Sequence, residues 1–433
     1  MRRVLIVTSS YFPTMIADMQ RTRHLAWELP NLNWEVEVLS PSTEYQPATC
    51  VDEDSAGFFS PHSHAHHVPE IWRDVFRIAG VGSIGWRALL PMWLAGRRLL
   101  QQRHFDLIYI STAHFPLFLL GRMWRRRFGV PYVLDLHDPL YKQDARQPVW
   151  AQPSLKHGIS SVLAKHLESF VAKAAQGLIA VSPNYIDTLR QRHEAQRPAW
   201  LRPGCCEAIP FSALPWDLRE AAAGLAPHPE KNGPPYRIVY VGVGGSVMAS
   251  SFTLFIRALS RLRMRSGSLC EGIRVELFGT MLGWQLGQPR GLAEIAAKWG
   301  VDDLVREEPG RLSYRRSLET LLQCDGALIF GAEDAGYMPS KLFSYALSGK
   351  PLLATLHREG PAFSMFQSIP DLGHTLWIGQ DNDDMPIEEA MTVLETFLRE
   401  VVARRIFDRG IGIAPYLAPA MARRHVELFE ACL

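Results

Sequence analysis

The chain has no CxxC pair: its six cysteines (Cys50, Cys205, Cys206, Cys270, Cys324, Cys432) are scattered through 433 residues. That spacing argues against a zinc site or a disulfide framework and fits a reduced, cytoplasmic protein. No uncharged apolar run reaches about 18 residues, so no spanning helix is expected. The first apolar run, Val4-Leu-Ile-Val-Thr8, follows Met-Arg-Arg and is too short for a signal-peptide core. It reads as a buried strand. The net charge is only +2, which gives no overall case for nucleic acid. There is no short-period internal repeat. There is also no well-placed acidic pair for a metal. Asp52-Glu-Asp54 sits in an irregular segment at about 41–70, and His62, His64, His66 and His67 read as surface-loop histidines. Neither a metal nor a bound cofactor is expected.

What is present is a globular composition, 47% apolar and 21% charged, too long for one ordinary core. Short apolar runs alternate with helical stretches. Strands are expected at 4–8, 34–39, 106–111, 132–137 and 177–182, with helices at 18–29, 115–128 and 155–175 between them. After a Pro-, Ala- and Gly-rich stretch (203–235), a second series follows. It has strands at 237–242, 274–279 and 325–330, and helices at 251–265, 291–299, 314–323, 386–409 and 417–431. This alternation predicts an α/β fold with parallel sheets. The expected domains are 1–226 and 236–410, joined by a linker at 227–235.

The segment Glu333 to Ala354 reads as loop, helix, glycine exit and buried strand. Pro339-Ser340 suits a helix start; Gly349 and Pro351 suit its end. Free amides and the dipole at a helix start suit phosphate. Lys341 in the first turn opposes that dipole, so stability alone would not choose it. An anion would. Gly242-Val-Gly-Gly-Ser246, between a strand and a helix, is a second place where backbone amides can approach a diphosphate. At strand ends in the first half stand His137, Asp138 and His114, where open α/β sheets place ligands.

Several segments together resemble the GT-B glycosyltransferases, in the retaining branch that uses nucleotide sugars, the glycosyltransferase 4-like group. They are Tyr11-Phe-Pro13 through Arg23, Val133-Leu-Asp-Leu-His-Asp-Pro139, Leu178-Ile-Ala-Val-Ser182, Tyr240-Val-Gly242, Leu277-Phe-Gly279 and Tyr337–Ala354. The resemblance spans nearly the whole chain. It implies two doubly wound Rossmann-like domains facing across a cleft, with the donor on the C-terminal domain and the acceptor on the N-terminal one. It also implies a last helix (411–433) that crosses back to the first domain. The donor residues it implies are Gly244, Gly245, Ser246, Glu333, Tyr337, Ser340, Lys341 and Ser344. His137, Asp138 and His114 become catalytic candidates, and Arg21 and Arg23 candidates for donor or acceptor phosphate.

Three positions depart from that branch. Gly336 and Ser344 replace its glutamate pair, and an uncharged hydroxyl holds a ribose more weakly than a carboxylate. Val243 and Met248 stand where it has cations for the diphosphate. Its glycine-rich first loop is replaced by Thr14-Met-Ile-Ala-Asp18. Residues 71–130 carry ten Arg against two acids, interleaved with Trp and Leu at 76–103 and 122–127. That pattern suits an anionic bilayer, at about 1 kcal/mol per basic residue, and places the protein on the inner face of a bacterial cell membrane. The expected function is metal-independent sugar transfer from a nucleotide sugar to a lipid-linked or polysaccharide-precursor acceptor, in cell-envelope synthesis. Two alternatives stay open: a nucleotide-sugar epimerase of the same fold, and a GT-B binding module without activity.

Overall fold

Strand β1 (Arg2–Val7) forms where four successive apolar side chains, Val4 to Val7, are all buried. Such a run needs both faces of a parallel sheet covered. A computed structural model describes residues 1–69, 83–139, 165–225, 233–281, 291–380 and 383–433. It divides into two compact units, Met1–Pro210 with Ala418–Leu433, and Phe211–Leu417. The linker expected at 227–235 lies mostly outside the described residues. Residues 211–225, assigned from sequence to the first domain, belong to the second unit. There the Tyr314 hydroxyl donates to Asp217 at 2.7 Å, and Arg315 pairs with Glu220 at 2.8 Å.

The first unit adds β2 (Trp34–Pro41), β3 (His64–Val68), β4 (Leu107–Thr112), β5 (Tyr132–Leu136), β6 (Gly177–Ala180) and β7 (Cys206–Ala208). Their order is β3-β2-β1-β4-β5-β6-β7, paired in parallel throughout. The order reverses between β1 and β4, the switch point at which such sheets bind ligands. The histidine-rich segment is not a loop as expected. It forms edge strand β3, where His66 meets the buried Glu37 at 2.8 Å and His67 meets Ser40 at 3.0 Å. The final helix, Ala418–Cys432, packs Phe429 against Trp34 and Tyr109, with ring centroids 5.6 and 5.2 Å away.

Helices Ile84–Gln102 and Leu119–Phe128 pack closely because Gly96 meets the ring of buried Trp124. A Cβ on Gly96 would lie 2.1 Å from that ring. Gly96→Ala is therefore expected to destabilise by about 1–3 kcal/mol. Urea unfolding should show a lower midpoint at an unchanged slope, and an unchanged midpoint would mean the helices separate freely. The basic residues here are only partly open to a partner. Arg87 donates to the Tyr45 carbonyl at 2.9 Å, Arg103 pairs with Glu37 at 2.7 Å, and Arg122 donates to the Phe170 carbonyl. Residues 76–82 of the expected basic segment lie outside the described set. No helix among the described residues is long and apolar enough to cross a membrane.

The second unit contains β8 (Tyr236–Val241), β9 (Ile273–Phe278), β10 (Val305–Glu308), β11 (Gly326–Phe330), β12 (Leu352–His357) and β13 (His374–Ile378). Their order is β10-β9-β8-β11-β12-β13, again parallel, with the reversal between β8 and β11. Helices Ala249–Arg265 and Ile387–Val402 cover the sheet with Phe252, Phe255, Leu394 and Phe397, all fully buried.

Candidate active site

At the switch point of the second sheet, β8 and β11 each release a loop. The β8 loop begins at Gly242, whose φ of +146° is open to glycine and strained for other residues. A Cβ there would fall 1.9 Å from the Lys341 amine. The chain then makes a single 3₁₀ turn, Gly245–Met248, and runs into the 17-residue helix Ala249–Arg265. Gly244 is buried, its amide bonded to the Thr280 carbonyl at 2.8 Å. Gly245 has open space where a side chain would be, and Ser246 is exposed. A small-residue turn opening a long helix has the form of an anion cradle.

The β11 loop carries the other expected donor residues. Glu333 is exposed and accepts a hydrogen bond from Ser250 at the start of the long helix. Tyr337 packs on the core. Ser340 and Ser344 are half-buried. The helix expected to begin at Ser340 spans only Leu342–Leu347, and Lys341 caps it rather than lying in its first turn. A helix of six residues is a weaker anion site at its own N-terminus than the longer one expected. The Lys341 side chain reaches back to the β8 loop. Its Nζ donates to the Val241 carbonyl at 2.6 Å and lies 4.3 Å from the centre of the Tyr240 ring. No carboxylate pairs with it among the described residues. Burial pushes its pKa down to about 7. An ammonium has three donors, and one carbonyl uses one of them.

Of the two departures in this loop, Met248 is buried in the core and closed to a ligand, while Val243 is half exposed. No cluster of His, Cys, Asp or Glu able to hold a metal occurs among the described residues.

In the first unit, Arg21 and Arg23 are not phosphate ligands at a surface; both are fully buried. Arg21 Nε lies 3.3 Å from Asp135 Oδ2, and its Nη2 donates to the Ile209 carbonyl at 2.6 Å. Arg23 donates to the Phe58 carbonyl at 2.8 Å and to Gln20 at 2.9 Å. Asp135 is the centre that sequence reading missed. One of its oxygens, Oδ2, also meets Tyr109 at 2.7 Å, Ser111 at 2.7 Å and His137 Nε2 at 2.9 Å. The signal was available: an acid inside the apolar strand Val133–Leu136 needs a partner. His137 is thus buried and oriented, and Asp138 beside it is exposed. His114, beyond β4, has its pKa lowered by burial, against the pull of nearby Asp18 and Asp138. Asp18, also missed, closes the β1 loop by accepting from Ser9 and from Ser10, the latter at 2.9 Å.

Residues 19–202 match the family model of the glycosyl transferase 4-like domain. The chain has the GT-B fold, and under half of it resembles a glycosyl transferase 4-like domain. The D-inositol 3-phosphate glycosyltransferase of Salinispora arenicola (strain CNS-205) is 29% identical over 213 residues, 48% of this chain and 44% of that protein. The match thus spans less than half of that relative's length. The GT-B fold itself extends over the whole chain. HepE from Anabaena, solved with UDP and glucose, has a TM-score of 0.60 at 15% identity, covering 99% of this chain and 100% of that one. The α,α-trehalose 6-phosphate synthase of Burkholderia multivorans gives 0.62 at 12%, covering 99% and 96%. A glycosyltransferase from Rickettsia africae ESF-5 gives 0.61 at 12%, covering 100% and 98%.

Proposed function

We propose that this GT-B protein transfers a glycosyl group from a nucleoside-diphosphate sugar to a hydroxyl acceptor. One observation carries the reading: a half-buried lysine amine, with no carboxylate partner among the described residues, held against the Gly242–Ser246 turn. A diphosphate supplies the missing counter-charge. When the bond from the anomeric carbon to the phosphate oxygen breaks, its electron pair stays on the leaving diphosphate. Lys341 and the turn's amides stabilise that charge. The acceptor oxygen bonds to the anomeric carbon, and its proton leaves on the departing phosphate. Retention of configuration and independence from metal follow the glycosyltransferase 4-like resemblance, and the complex of HepE with UDP and glucose favours a nucleotide-sugar donor. His137 and Asp138, at the end of β5, are the groups we assign to the acceptor side, with His114.

A lipid-linked acceptor is the reading favoured by the first unit's surface. Leu90, Leu94 and Arg98 form one exposed stripe of the helix Ile84–Gln102, and Arg126 and Arg127 are exposed on the next helix. On this reading the protein works peripherally at a membrane face.

The test is thermal unfolding with UDP, GDP, ADP and dTDP. One nucleotide, at 100 times its Kd, is expected to add about 2.7 kcal/mol. Stabilisation by none of them, in a folded protein, would leave the inactive binding module as the better reading. Incubation with the matching nucleotide sugar then separates transfer from epimerisation by the product formed.

A further inference from the structure

The last residue of β12, His357, is 4% exposed, and one of its ring nitrogens has no partner among the described residues. Its Nδ1 accepts the Glu359 amide at 3.2 Å, so the ring proton sits on Nε2. That Nε2–H is buried, and no acceptor meets it among the described residues. Buried donors are rarely left this way, and each one calls for an explanation. His357 lines a small pocket at the carboxyl ends of β11 and β12, with Gly331, Ala332, Asp334, Tyr337 and Gly360. The pocket has room for about one water. Its wall is the same β11 loop that carries Glu333 and leads to Lys341. Asp334 at this wall accepts the Gly336 amide at 2.8 Å.

A space the size of a water, lined by the residue that holds the unpaired N–H and by an acidic residue, suits a hydroxyl. A hydroxyl accepts one hydrogen bond and donates one. It can replace an ordered water and reproduce both of its bonds. We propose that this pocket receives a single hydroxyl of the transferred sugar, with His357 Nε2–H as the donor that selects for it. The inference rests on the transferase reading and deepens it. It assigns sugar specificity to the end of β12, apart from the diphosphate contacts at Lys341. A site built to bond a hydroxyl discriminates strongly, because an analogue without it leaves the buried donor unpaired.

The experiment compares each nucleoside diphosphate with its sugar conjugate. The pairs are UDP with UDP-glucose, UDP-galactose and UDP-N-acetylglucosamine, and GDP with GDP-mannose. Kd values are measured by calorimetry on the wild type, His357→Ala and His357→Gln. In the wild type, one conjugate should bind about tenfold or more tightly than its nucleotide. His357→Ala should bring that ratio to near one while leaving the nucleotide's own Kd within about twofold. His357→Gln, which keeps an N–H, should restore part of the ratio. An unchanged ratio in His357→Ala overturns the proposal and leaves the pocket as the seat of a structural water. Equal loss of nucleotide and conjugate also overturns it, since His357 would then only shape the loop. A wild type that binds nucleotide with no sugar-dependent gain removes this inference alone. A wild type that binds neither removes the transferase reading as well.

Discussion

Replacing Asp135 with alanine is expected to destabilise the protein by about 3–5 kcal/mol. Asp135 and Arg21 are both fully buried, and the carboxylate is the ion partner of the guanidinium. Burial alone would raise the Asp135 carboxyl. Arg21 first, then His137 and His425, more than reverse this and hold it below the usual carboxylate range. Removing it strands a positive charge in the core and takes the same carboxylate acceptor from Tyr109, Ser111 and His137 at once. Urea unfolding of the wild type, Asp135→Ala and the double variant Arg21→Met/Asp135→Leu would check this. The double variant should recover much of the loss, because neither charge remains. A single-variant loss under about 1 kcal/mol would mean that water reaches the guanidinium.

The same cluster sets an acid sensitivity. His425 lies beside Arg21 at 3.4 Å, and burial, followed by Arg21, pushes its pKa down to about 3 from 6.5. Between those values the unfolded chain takes up a proton that the folded one refuses. His425 therefore contributes stability that is complete above pH 6.5 and falls progressively toward pH 3. Asp135 acts in the same direction at still lower pH, since its folded pKa is also depressed.

Lys341→Met should produce the second large effect, with two opposite signs. Nucleotide affinity is expected to fall at least tenfold, the usual loss for a charge-assisted hydrogen bond. Stability without ligand is expected to rise, on the order of 2 kcal/mol near neutral pH. Among the described residues the half-buried amine has no ion partner to offset its desolvation, and the Val241 carbonyl still accepts from the Tyr345 hydroxyl at 3.2 Å. The folded-state pKa is about 7 against 10.5 for a free lysine. From pH 7 to 10.5 the unfolded wild type binds more protons, so wild-type stability rises across that window. The gain from methionine is thus largest below pH 7 and fades toward 10.5. A variant that loses both stability and binding would show that Lys341 is structural.

The central strands of both sheets were legible because each is an apolar run of four to six residues, a signal that needs no partner to be read. β10 was not, since Val305-Arg-Glu-Glu308 is polar and holds its place by edge pairing with β9. The same applies to β3, whose histidines look like loop residues until Glu37 lies beside them. At the donor side, the sequence pointed to Gly242–Ser246 and Lys341, because the motif is local in the chain. The contact between them spans a hundred residues and had to come from the fold. Arg21 and Arg23 misled for the opposite reason: a charge in a helix reads as surface, and only the buried acceptors Asp135 and Phe58 reveal otherwise.

The helix Ala418–Cys432 completes the first unit, yet the chain reaches it only after the whole of Phe211–Leu417. On a ribosome, therefore, the first unit must wait. Its sheet can assemble early, but Arg21 and Tyr109 lack His425, and Trp34 lacks Phe429, until those late residues emerge. The second unit is synthesised without such a gap and can fold first. The order of folding is then the reverse of the order of translation, and the incomplete first unit is the species a chaperone would meet.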